Sequence, residues 1–132
     1  MMESSNDALA MQRWKEFSTE VESLLQSPSQ VLGEANPPNT SGVYVLYDEN
    51  MTLSYVGIAT DLRNRLLNKH LSGDESHAIQ RAYKLEYPDR AARREFIKHN
   101  VRAKWMQVDD PARAADLERL LIWLFQPSRN LR

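Results

Sequence analysis

The chain has 132 residues, a formal net charge of −1 and no cysteine, which excludes a disulfide framework, a thiolate zinc site and a cysteine nucleophile. Its length supports one core rather than two, and no apolar run approaches the roughly eighteen residues needed to span a bilayer. The start, MMESSNDALAMQ, lacks the basic and apolar segments of a secretory signal, so a cytoplasmic protein with no membrane association is expected.

The near-zero total charge conceals a division. Residues 1–40 hold two Lys/Arg and six Asp/Glu, whereas residues 63–104 hold eleven and five. Such a basic stretch is either a solvated helical face or a contact for an anionic partner.

Asp7 to Gln26 reads as an amphipathic helix, because Ala10, Trp14, Phe17, Val21 and Leu24 recur at steps of four and three and form one stripe. Residues 27–42, SPSQVLGEANPPNTSG, are punctuated by Pro, Gly, Asn and Ser and read as a connector. Val43 to Tyr47 and Leu53 to Ile58 are strand candidates joined by the turn residues Asp48-Glu49-Asn50, which predicts a β-hairpin. Thr60 or Asp61 can cap a helix from about Leu62 to Leu71, closed by Gly73.

Residues 75–100 are helical in two pieces divided by Pro88, the second starting from Asp89 as a cap. Arg102 to Val108 alternates polar and apolar residues as a half-buried strand should, and Ala112 to Phe125 forms the last helix before Pro127. The order predicts an α/β (α+β) fold, with a small mixed or antiparallel three-stranded sheet flanked by helices. Residues 1–41, helix and Pro-rich connector, precede the main domain at 42–132.

Glu118 is anomalous, because on the last helix it falls within the apolar arc of Ala114, Leu117, Leu121, Ile122 and Phe125. A carboxylate there is costly unless it reaches water, pairs with an arginine or binds a metal; all three readings stand. Tyr44 and Tyr55 lie on neighbouring strands, and Gly57 permits a close backbone approach. Arg65 follows on the basic helix with Lys69 one turn on, and Arg63 and Arg119 are further candidates. Guanidinium groups suit phosphate because they are planar, permanently charged and bidentate.

Gly42-Val43-Tyr44, Tyr55-Val56-Gly57, Arg65, Glu118 and Asn130 resemble the GIY-YIG nuclease superfamily in order and spacing, with Val at the centre of each triplet. The resemblance covers about residues 42–132 and implies an endonuclease that hydrolyses DNA phosphodiester bonds with one divalent cation, Mg²⁺ or Mn²⁺. It implies Glu118 as metal ligand, Arg65 on the scissile phosphate, Tyr55 beside the attacking water and Tyr44 orienting a phosphate or water. Asn130 would bind near the phosphate or hold the final turn.

The family's residue one turn after the arginine is matched by either Lys69 or His70. Lys69 is better placed on a regular helix, whereas His70 has the more suitable pKa. Arg90, Arg93, Arg94 and Lys98 would track a nucleic-acid backbone or coat a helix. The alternative to an enzyme is a non-cleaving nucleic-acid-binding or complex-forming module, in which the acidic first helix covers the basic face or recruits a partner subunit. A homodimer would supply the second copy needed for a double-strand cut.

Overall fold

The computed structural model describes residues 5–70 and 78–130; the predicted helix end at Leu71 and Gly73 lies outside them. Helix α1 spans Ser5–Gln26, strand β1 Gln30–Val31, β2 Gly42–Tyr47 and β3 Leu53–Ala59. A π-helix follows at Asn64–Lys69, then α2 at Ala78–Tyr83, α3 at Arg90–Asn100, β4 at Arg102–Gln107 and α4 at Pro111–Phe125.

The sheet is antiparallel in the order β1-β4-β2-β3. It holds one strand more than the sequence suggests, because Gln30 and Val31 of the connector pair with Ala103 and Arg102. Strand alternation sends successive side chains of β2 to opposite faces, so each face carries its own core. Val43, Val45 and Tyr47 pack with Val21 and Leu24 of α1 and Leu117 and Leu121 of α4. Tyr44 and Leu46 pack on the other face with Leu62, Leu66, Ile79, Tyr83 and Ile97. Burial of each such side chain contributes about 1.5–3 kcal/mol.

The helix ends follow capping rules. Asp89 accepts from the Ala92 N–H at 2.9 Å and Asp110 from the Ala112 N–H at 3.0 Å, each satisfying an orphan donor. Gln126, in the left-handed region at φ 45°, ends α4 immediately before Pro127.

Two expectations change at α1. Its stripe is buried only at Val21 and Leu24, with Phe17 partly so, and Trp14 is 60% exposed because the first half of the helix runs past the core. The second half is tied to the sheet and to α4, where Arg113 bonds Glu20 at 2.6 Å and its guanidinium lies over the Phe17 ring. Lys104 of β4 donates to the Leu25 carbonyl. The acidic helix therefore packs on the α4 side of the sheet and does not cover the π-helix.

Candidate active site

The hairpin register places Tyr44 directly opposite Gly57. A Cβ at residue 57 would stand 2.4 Å from the Tyr44 hydroxyl oxygen and 2.5 Å from its Cζ. Gly57 is buried, so the absent side chain makes room for Tyr44 and not for nucleic acid.

Tyr44 is 1% exposed, and its hydroxyl lies 2.7 Å from His70 Nε2. The rings of Tyr44, Tyr55 and His70 form one cluster, with centroids 5.4–6.1 Å apart. Their meeting depends on the π-helix. Asp61 caps its entry by accepting from the Asn64 N–H, and the His70 N–H bonds the Arg65 carbonyl at 3.0 Å, an i→i+5 link. The wider turn brings residue i+5 above residue i, where a regular helix would bring i+4. His70 is consequently buried against Tyr44 while Lys69 is exposed. The spacing that favoured Lys69 assumed a regular helix.

Burial holds the Tyr44 hydroxyl well above its ordinary pKa of 10.0; Tyr55 and Glu118 add to the rise and Arg65 opposes it. Arg65 and Glu118, 53 residues apart in sequence, thus both act electrostatically on one hydroxyl. Glu118 is half-buried, and burial raises its carboxyl from the ordinary 4.5, opposed by Arg119. It lines an open groove with Arg119, Ile122, Trp123, Gln126, Pro127 and Asn130. Arg65 is half-buried and lines a cavity of about 280 Å³ with Ser41, Thr60 and Asp109.

The remaining expected site residues are divided. Asn130 accepts from the Val56 N–H at 2.7 Å and donates to the Val56 carbonyl at 2.8 Å, so its amide closes the outer edge of β3. Arg63 is turned to the connector, donating to Asn36 at 2.6 Å and to the Pro37 carbonyl. Arg93 is fully buried and cannot track a nucleic-acid backbone. Arg90, Arg94 and Lys98 are exposed on α3. Gln80, also fully buried, bonds the His70 carbonyl at 2.6 Å; nothing in the sequence pattern singled it out.

A hairpin with paired tyrosines, a basic helix entering beneath it and a glutamate helix across from it define a nuclease-like catalytic domain. The family model described as the GIY-YIG catalytic domain matches residues 40–131, and the chain belongs to the GIY-YIG family.

Among solved structures, the chain is similar to the N-terminal GIY-YIG endonuclease domain of UvrC from Thermotoga maritima bound to magnesium. That match has 21% identity and a TM-score of 0.49 and covers 71% of this chain and 86% of that one. A point mutant of the same domain, bound to its catalytic divalent cation, matches at 22% identity with a TM-score of 0.49, covering 72% and 87%. Comparison with curated protein sequences gives no match.

Proposed function

We propose that this protein is a divalent-metal-dependent endonuclease that hydrolyses DNA phosphodiester bonds. The observation that carries this reading is the packing of Tyr55 and His70 on the buried Tyr44, whose hydroxyl bonds His70 and feels the opposed charges of Arg65 and Glu118, in a chain of this family.

Glu118 fits a hard cation, being an oxygen donor partly withdrawn from water at an open groove. Among the described residues no three His, Cys, Asp or Glu side chains converge, so Mg²⁺ or Mn²⁺ held by Glu118 would retain several waters. When bound, such a cation polarises a phosphoryl oxygen and acidifies water.

The protein's own groups account for the proton. Burial disfavours the Tyr44 phenolate, so Tyr44 serves better as a relay than as a base. Tyr55 accepts the proton of the attacking water as its own passes to Tyr44, and the Tyr44 proton passes to His70 Nε2. No phenolate accumulates, and an imidazole has the pKa range suited to the final acceptor. The water oxygen bonds to phosphorus as the bond to the leaving sugar oxygen breaks, that oxygen takes a proton from a solvent water, and Arg65 offsets the charge gathering on the phosphoryl oxygens. Arg90, Arg94 and Lys98 would lie along the flanking backbone.

Incubation with supercoiled plasmid and branched DNA tests this reading. Nicking that requires Mg²⁺ or Mn²⁺ and stops with EDTA is expected. Binding without cleavage on every substrate would replace it with the non-cleaving module.

A further inference from the structure

We propose that Gln80 and Arg93 are positioning residues that set the direction of the His70 imidazole. This rests on the reading of His70 as the proton acceptor. His70 is the first residue after the π-helix, so the orientation of its ring is set by how the backbone leaves that helix. The helix holds it through the bond from the His70 N–H to the Arg65 carbonyl.

Gln80 of α2 adds a second hold, donating from Nε2 to the His70 carbonyl at 2.6 Å. Arg93 of α3 donates from Nε to Gln80 Oε1 at 2.8 Å and from Nη1 to the carbonyls of Tyr87 and Pro88 at 3.1 and 3.3 Å.

The chemistry of these groups orders the chain. A guanidinium only donates and a carbonyl only accepts, so the glutamine between them has one workable orientation. The Arg93 Nε–H and the Gln80 amide N–H both point toward His70, and the His70 ring meets the Tyr44 hydroxyl. Gln80 and Arg93 are both 0% exposed and His70 is 2% exposed, so water does not compete for these bonds.

Burying a permanent charge is expensive, and apolar side chains of similar volume often fill such space at equal or better stability. The arginine therefore does more here than occupy volume. It fixes an amide, and the amide fixes the backbone that aims the imidazole.

Gln80→Glu separates this role from packing, because it keeps an acceptor for Arg93 and removes the donor to His70. Steady-state cleavage and the His70 imidazole resonances, assigned with His70→Gln, are read on the folded variant. The expected result is a kcat about tenfold lower at unchanged KM, with displaced His70 resonances. If both kcat and the resonances stay at wild-type values, or if KM alone rises, the proposal is overturned.

Should Gln80→Glu not fold, Arg93→Lys, which keeps the charge but not the fork, is judged by the same outcomes. A wild-type protein that cleaves nothing would refute the nuclease reading instead, and the His70 resonances would then decide the positioning role alone.

Discussion

In the proposed site His70 and Glu118 form separate walls, which are held in opposite ways. His70 is bonded at its amide, its carbonyl and its ring, to Arg65, Gln80 and Tyr44. Glu118 is half-buried at an open groove, with the exposed Arg119 opposing the rise in its pKa. A group that passes a proton needs a fixed direction, and fixed hydrogen bonds supply it. A group that binds a hydrated cation needs room for water and an unspent negative charge. The closed wall suits the first task and the open wall the second.

The largest expected effect comes from emptying the open wall. Glu118→Gln should abolish cleavage and also raise the melting temperature at pH 7. The sign follows from burial: a carboxyl whose folded pKa lies above the ordinary 4.5 makes the fold more proton-binding than the unfolded chain. The stability linked to that proton is complete below the ordinary value and lost as pH rises through the raised one. Melting curves of variant and wild type should therefore converge below about pH 4.

Arg65→Ala should cost about 10²–10³ in kcat, the range for removing one electrostatic stabiliser. Tyr44→Phe breaks the closed wall at its centre and should lower kcat by roughly 10² through lost proton transfer. It should cost the fold only about 1 kcal/mol, which denaturant unfolding measures.

Replacing Arg90, Arg94 and Lys98 together with Ala should weaken binding alike on all sequences and flatten its salt dependence by up to about three counterions, without changing the cut. Lys69→Ala should leave kcat nearly unchanged, since that side chain points away from the cluster. An effect as large as that of His70→Ala would reverse the assignment made from the π-helix.

Much of this division was legible before the structure. The hairpin, the cap at Asp89 and the misplaced carboxylate of Glu118 all follow from residue type and local spacing. What stayed hidden depends on contacts far apart in sequence. Gln30 and Val31 form too short a strand to show a period, and β4 across the sheet is what extends them.

One residue of π-geometry moves His70 onto the face that a regular helix gives to Lys69. Arg93 sits among Arg90, Arg94 and Lys98 in a stretch that reads as solvated, yet Gln80 and the carbonyls of Tyr87 and Pro88 make a place for it inside. Trp14 errs in the other direction. Its spacing matches the buried stripe, but the helix outruns the sheet before reaching it.

Mn²⁺ binding, followed by paramagnetic broadening and measured beside cleavage in Glu118→Gln and Tyr44→Phe, tests the division of labour most directly. The account predicts that Glu118→Gln loses both the ion and the activity, while Tyr44→Phe loses activity and keeps the ion. Undiminished Mn²⁺ binding in Glu118→Gln, or its loss in Tyr44→Phe, would contradict it.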